Sequence, residues 1–209
     1  MANESRLFPC DIGDRFDYEC CGKEVQVEHI KAYVCKPLAS AVKAVIVIQD
    51  IFGWQLPNMR YMADMPSAQT FFAGKEAWKP SDPGLMVGWK LEIPEKINKD
   101  AYAVLKYLND QCGVKKLGVI VFCWGGVAAH HMMLTYPKLR AGLIKNSDDV
   151  SYLLNPTFLI FAEKMISFPF IKYKLKQNCK VDYQVKIYPG QTHGFEGRKD
   201  MINWLDKYI

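Results

Sequence analysis

Leu117-Gly118-Val119-Ile120-Val121-Phe122-Cys123-Trp124-Gly125-Gly126-Val127-Ala128-Ala129-His130-His131-Met132-Met133-Leu134-Thr135-Tyr136-Pro137 reads as a strand, a sharp turn and a helix in a single line. Leu117 to Phe122 is a short, continuous apolar run, the pattern of a strand buried on both faces within a parallel sheet. Gly125-Gly126 opens a helix that runs to Tyr136, and Pro137 ends it because its ring and missing N–H cannot continue the ladder. The stretch carries no Asp, Glu, Lys or Arg and is long enough to span a bilayer. The punctuation at Gly125-Gly126 and His130-His131 favours a strand followed by a buried helix instead. The two histidines lie about 100° apart on a helix of 3.6 residues per turn, so they do not jointly hold one metal ion; they read as packing or surface residues.

The same pattern recurs on either side. Ala44-Val45-Ile46-Val47-Ile48 and Thr157-Phe158-Leu159-Ile160-Phe161-Ala162 are further buried strands, and Val181, Tyr183, Val185 and Ile187 alternate as a fourth. Between them, Pro94 sits at a first helical position, and Ile97, Ala101, Val104, Leu105 and Leu108 follow at helical spacing. Asn58 to Met65 predicts a helix stopped by Pro66. Pro169 to Gln177 predicts a helix with a solvated basic side through Lys172, Lys174 and Lys176, and Arg198 to Tyr208 predicts a closing helix carrying Met201, Leu205 and Tyr208. In Glu24 to Val34 the apolar set switches face after Glu28, from Val25 and Val27 to Ile30, Ala32 and Val34, which predicts two short strands or a bulge. Residues 66–93, rich in Pro and Gly and holding Trp78 and Trp89, predict no strand of convincing length. Buried strands alternating with helices imply an α/β fold around a mostly parallel sheet. With no internal repeat or linker, a single domain over 1–209 is expected.

Composition excludes several classes. Of 209 residues, 50% are hydrophobic and 13% aromatic, which is ample material for a core and rules out a disordered chain. The net charge of +5 comes from 27 basic and 22 acidic residues without a clustered basic face, so no nucleic-acid partner is expected. No apolar leader follows Met1, and the cysteines number seven; an odd count without a leader predicts free thiols in the reducing cytoplasm. Cys20-Cys21 are adjacent and no CxxC pair occurs, which argues against structural zinc.

Ligands of open α/β sheets bind beyond the carboxyl ends of the strands, so the residues there carry the functional signal. After Phe122, Cys123 occupies a strand-to-helix turn with small neighbours. Such a turn exposes a nucleophile and aims the following N–H groups at a reacting carbonyl, and the helix N-terminus favours a thiolate. Cys123 equally suits a buried core thiol. After Tyr188, Pro189-Gly190-Gln191-Thr192-His193-Gly194-Phe195 places His193 in a loop where a neutral imidazole could take the thiol proton; a lone histidine there also suits a surface or capping role. The order nucleophile then base matches the hydrolase pattern. After Ile48, Gln49-Asp50-Ile51-Phe52-Gly53-Trp54 forms a turn able to supply a second backbone N–H to an oxyanion hole, or simply a strand end with Asp50 as an N-cap.

Gln49-Asp50-Ile51-Phe52-Gly53-Trp54, Phe122-Cys123-Trp124-Gly125-Gly126 and Gly190-Gln191-Thr192-His193-Gly194-Phe195 resemble the dienelactone hydrolase family, in its carboxymethylenebutenolidase-like branch of animals. The resemblance covers nearly the whole chain. It implies a three-layer α/β-hydrolase-type fold with a mostly parallel central sheet, and a cysteine-dependent hydrolase of small lactones or carboxylic esters. It implies no metal or organic cofactor, a small-molecule substrate and a monomer in the cytosol, with no membrane partner. By position Cys123 resembles the nucleophile and His193 the base; Asp50 resembles the acidic residue beside the resting nucleophile, and the N–H groups of Ile51 and Trp124 resemble the oxyanion donors.

The sequence departs from the family in three ways. Met165 stands where the triad Asp belongs, and a thioether cannot accept the second imidazole N–H as a carboxylate does. Glu163, two residues earlier and on the same strand face, is the candidate substitute acid. Val121 stands where the family has Gly, which crowds the turn at Cys123. The chain is also short. The family has a strand between the Asn58–Met65 helix and Phe71-Phe72, where this chain has Pro66-Ser67-Ala68-Gln69-Thr70. The strand after Arg140-Ala141-Gly142 is cut to Leu143-Ile144, and the segment after His193 is brief. One or more strands are therefore expected to be missing. The alternative function is that of a divergent, weakly active or inactive chain acting as a binding or interaction protein.

Overall fold

The structure, a computed structural model, describes residues 19–35, 42–49, 53–64, 69–73, 93–122, 125–137, 139, 153–162, 175–176, 179–191 and 197–209. The face switch at Glu28 is a hairpin. Strand β1 (Lys23–Val27) and strand β2 (Ile30–Cys35) pair antiparallel, closing at Val27 opposite Ile30. Directly opposed residues share a face, so Val25, Val27, Ile30, Ala32 and Val34 enter one core. Glu28 makes the turn in the left-handed region, φ 50°, which costs about 1–2 kcal/mol for a residue with a Cβ. Local bonds hold it there. Gln26 Nε2 donates to the Glu28 carbonyl at 2.8 Å, and His29 pairs with Asp100 at 2.7 Å across to the helix described next.

Strand β3 (Lys43–Ile48) is followed by helix α1 (Pro57–Asp64), strand β4 (Gln69–Ala73), helix α2 (Ile93–Asp110), strand β5 (Lys116–Val121) and helix α3 (Gly125–Thr135). The sheet order is β1-β2-β4-β3-β5, with β4 and β5 both parallel to β3. Strand β6 (Thr157–Ala162) and strand β7 (Tyr183–Tyr188) form a second, parallel pair, and helix α4 (Arg198–Tyr208) follows. No helix is long and apolar enough to cross a membrane among the described residues.

Alternate residues of each strand serve opposite faces. Ala44, Ile46 and Ile48 of β3 and Leu117, Val119 and Val121 of β5 pack in the core that holds Ile97, Ala101, Val104 and Leu108 of α2 with Ala128, Met132 and Met133 of α3. Val45, Val47 and Ile120 join the core of Met59 and Met62 from α1 with Met201, Trp204 and Leu205 from α4. The layers are therefore α2 and α3, the sheet, and α1 and α4, as the three-layer expectation required.

Two expectations are corrected. Residues 66–93 contain a strand after all. Gln69–Ala73 lies between β2 and β3, with Phe71 opposite both Val34 and Ile46. The sheet is thus continuous where a strand was expected to be missing. A five-residue strand bounded by Pro66 and Gly74 is short enough to hide in turn-rich sequence, and pairing on both sides supplies what its local pattern does not. The fourth strand begins at Tyr183, not Val181: pairing with β6 starts at Thr157 opposite Tyr183, where the Thr157 N–H donates to the Asp182 carbonyl at 3.0 Å, and Thr157 is the first residue of β6. Among the described residues β5 has no ladder to the β6–β7 pair; on that side it makes one isolated parallel bridge, Leu117 to Leu139. The Leu143-Ile144 remnant lies outside the described residues, as does most of the predicted Pro169–Gln177 helix, of which Leu175 and Lys176 are helical.

Candidate active site

Two ladders set the site. The last rung between β3 and β5 pairs Ile48 with Val121, and the Phe122 N–H donates to the Ile48 carbonyl at 3.1 Å. Both strands run in the same direction, so the chain leaves them side by side. Asp50 follows Ile48 by two residues and Cys123 follows Val121 by two. The last rung of the second pair joins Ala162 to Tyr188, so Glu163 and the loop toward His193 leave adjacent strands in the same way. Asp50, Ile51, Cys123, Trp124, Glu163, Met165 and His193 themselves lie outside the described residues. Val121 is fully buried at the end of β5.

The supports around these departures are well defined. Beyond β3, Gln49 is buried and Gly53 adopts φ 82°, a left-handed turn that suits glycine. Trp54 follows, 2% exposed. Beyond β5, the small buried residues Ala128 and Ala129 let α3 lie close on the sheet. Beyond β7, Pro189-Gly190 turns with Gly190 at φ 72°, the glycine position of a type II turn. Tyr188, the last residue of β7, donates its hydroxyl to Asp200 in the first turn of α4. Lys186 Nζ meets the same carboxylate at 2.5 Å. A Cβ added at Gly197 would lie 2.8 Å from the Tyr188 hydroxyl, so this contact requires glycine.

Other titratable groups are tied up structurally. His131 shares a 2.8 Å hydrogen bond with Asn98 of α2, and burial first, then the neighbouring His130, pulls its pKa down. Burial, then the hydrogen bond and charge of Asp64, pushes the Cys35 thiol up to about 12, so it is not a competing nucleophile near neutral pH. Cys20, Cys21, Cys35, Cys112 and Cys179 are in the reduced form, not joined in disulfides. Among the described residues no group of three or more His, Cys, Asp or Glu is arranged to hold a metal ion.

Sequence reading overlooked Arg60. It lies on α1 with its guanidinium carbon 5.1 Å from the ring centroid of Tyr33 and 5.1 Å from that of Trp54. A lone arginine in a short helix carries no pattern that announces such a contact.

Comparison with known proteins gives the frame. A profile described as the dienelactone hydrolase family matches residues 30–207. The chain is 49% identical to the carboxymethylenebutenolidase homolog of Xenopus tropicalis and 47% identical to that of Homo sapiens, in alignments covering 100% of this chain and 100% of each relative. Both alignments run over 245 positions against 209 residues here, so about 36 positions have no counterpart in this chain. The crystal structure of dienelactone hydrolase from Anabaena variabilis superposes with a TM-score of 0.69 at 16% identity, covering 91% of this chain and 98% of that one.

Proposed function

The chain belongs to the dienelactone hydrolase family, and we propose that it hydrolyses small lactones or carboxylic esters in the cytosol as a monomer, with Cys123 as nucleophile and His193 as general base. The observation that carries this reading is the closing rung Ile48–Val121. It sends the oxyanion-turn segment and the nucleophile segment off adjacent parallel strands in register, as an acyl-transfer site needs. The parallel rung Ala162–Tyr188 supports the matching role for Glu163 and His193.

In this mechanism His193 takes the thiol proton and the Cys123 sulfur attacks the ester carbonyl. The N–H groups of Ile51 and Trp124 receive the developing oxyanion, whose stabilisation is commonly the largest single contribution. The carbonyl re-forms as the C–O bond breaks, and the alkoxide leaves with the proton held by His193, giving an alcohol and a thioester on Cys123. For a lactone, the alcohol remains tethered to the acyl group. Water then gives a proton to His193 and attacks the thioester; the thiolate leaves, recovers that proton, and the acid is released. Glu163 orients the second imidazole N–H in the place that Met165 cannot fill, and Asp50 lies beside the resting thiol.

Met165 and the 36-position deficit favour a second reading, in which the chain binds an ester or acts in an interaction without turning it over. Release of nitrophenolate from p-nitrophenyl acetate separates the two. The hydrolase reading expects turnover that falls on the order of 10³-fold or more in Cys123→Ala. A wild-type chain that is folded and silent supports the second reading, and undiminished turnover by Cys123→Ala removes Cys123 from the mechanism.

A further inference from the structure

We propose that Arg60 is a positioning residue for the oxyanion side of the site, acting through Trp54; the inference rests on the hydrolase reading above. The guanidinium carbon lies over the rings of both Tyr33 and Trp54, 5.1 Å from each centroid. Cation–π contact of this kind suits a weakly hydrated guanidinium. Its outer edge is tethered, with Nη2 donating to Glu24 Oε1 at 2.6 Å. The Tyr33 face is itself fixed: its hydroxyl donates to the Asp64 carboxylate at 2.8 and 3.0 Å and accepts from the Gly22 N–H at 2.6 Å. Arg60 therefore transfers the rigidity of β2 to Trp54.

Trp54 needs that hold. It is 2% exposed, yet its indole N–H has no hydrogen-bond partner among the described residues, and neither has the buried Arg60 Nε–H. No directional bond from the indole sets its place, so packing and the cation against its ring do. Trp54 matters because of where it lies in the chain. Gln49 leaves the ladder at Ile48–Val121, and Gly53 turns at φ 82°. Residues 50–52 thus join Gln49 to Gly53, the residue before Trp54, and three residues reach at most about 11 Å. Ile51 is the middle one. Ile51 precedes Trp54 by three residues, so Trp54 anchors the segment that carries the proposed oxyanion donor, and misplacing a catalytic group by about 1 Å can cost on the order of 10²-fold.

The test uses Arg60→Met, Arg60→Lys, Trp54→Phe and the double variant Arg60→Met/Trp54→Phe in the full chain. Two rates are read: kcat and KM on p-nitrophenyl acetate, and alkylation of the Cys123-containing peptide by iodoacetamide, followed by mass spectrometry. Alkylation displaces iodide at a saturated carbon and forms no oxyanion, so it reports on the thiol and not on the Ile51 N–H. Arg60→Met is expected to lower kcat about tenfold with KM within about twofold and the Cys123 alkylation rate unchanged. That is less than the roughly 10²–10³-fold lost on removing an oxyanion donor outright. Arg60→Lys recovers part of the loss by keeping a cation over the rings. Trp54→Phe lowers kcat about threefold, and the double variant loses no more than Arg60→Met.

Unchanged kcat in Arg60→Met, an equal fall in alkylation and turnover, or strictly multiplicative losses in the double variant each overturn the inference. If Arg60→Met does not fold, Trp54→Phe decides, and unchanged kcat there overturns it. Turnover that depends on Cys123 but ignores Arg60 sinks this inference alone, whereas a silent wild-type chain sinks the hydrolase reading and this inference with it.

Discussion

Strands β3 and β6 are both six residues long and apolar in sequence, yet they are held by different forces. β3 has a parallel neighbour on each side, β4 and β5, so both of its backbone edges are bonded in register. β6 has β7 on one side, and among the described residues no ladder on the other. The larger sheet is stitched by backbone hydrogen bonds. The pair is attached through side chains: Phe158 and Ile160 pack with Trp204 and Leu205 of α4 on one face, Leu159 and Phe161 join the core of β5, α2 and α3 on the other, and Leu205 and Ile209 press on Gly118 of β5. A ladder resists the loss of any single side chain because its bonds are distributed along the backbone. Attachment by side chains alone places the load on the few residues of each face that interlock. The segment of Cys123, the proposed nucleophile, follows the first region and that of His193, the proposed base, follows the second, so the proposed chemistry depends on this seam.

The largest effect is expected at Trp204. Its ring lies 5.5 Å from Phe158 and 4.6 Å from Tyr208, and the residue is 7% exposed. Trp204→Ala should lower stability by about 3–5 kcal/mol, measured by chemical denaturation. The comparison makes a sharper demand on hydrogen exchange. Amides of β6, β7 and α4 should lose protection well before those of β3 and β5, because local opening follows the weaker attachment. Uniform loss across both regions would show that the seam is no weaker than the ladder.

Gly118 tests the same contact from the other side. A Cβ added there would lie 2.8 Å from Leu205 Cδ2 and 3.3 Å from Ile209 Cδ1. An alanine in a strand interior ordinarily gains about 0.5–1 kcal/mol over glycine through chain entropy. Crowding of a packed core costs about 1–3 kcal/mol. The second effect is larger here, so Gly118→Ala should show a net loss of about 1 kcal/mol in thermal or chemical unfolding. A gain would mean that Leu205 moves aside freely and that α4 is not tightly seated on β5.

The contrast also explains what sequence made visible. β3, β5 and β6 were legible because burial on both faces writes itself as a continuous apolar run, and α2 because one buried face leaves a helical period. The hairpin was legible as a parity switch at Glu28. β4 was not, because its five residues take their identity from two neighbours distant in sequence, Val34 and Ile46 opposite Phe71. The break beside β5 was anticipated as missing strand material, but its place was misjudged in part: β4 fills the position expected to be empty. At the site, the motifs around Cys123, His193 and Ile51 mark the strand ends, while the Tyr33–Arg60–Trp54 stack has no sequence signature. It joins three elements through ring faces, a relation that residue spacing does not encode.

The smallest effect belongs to the exposed edge of the seam. Asp182, just before β7, meets Lys207 Nζ at 3.0 Å and accepts from the Tyr208 hydroxyl, and Lys207 also lies over the rings of Trp204 at 5.4 Å and Tyr208 at 4.7 Å. The side chains of Lys207 and Asp182 are 60% and 53% exposed, so water and salt screen most of their attraction, and such pairs contribute about 0–1 kcal/mol. Asp182→Asn removes the charge but keeps an oxygen that the Tyr208 hydroxyl can bond. It should cost less than about 1 kcal/mol in dilute buffer, and still less in 1 M salt, where the screening length falls to about 3 Å. A loss above about 2 kcal/mol that vanishes with salt would reverse the assignment: charge at the rim, rather than Trp204 in the core, would then be what fastens α4 to the β6–β7 pair.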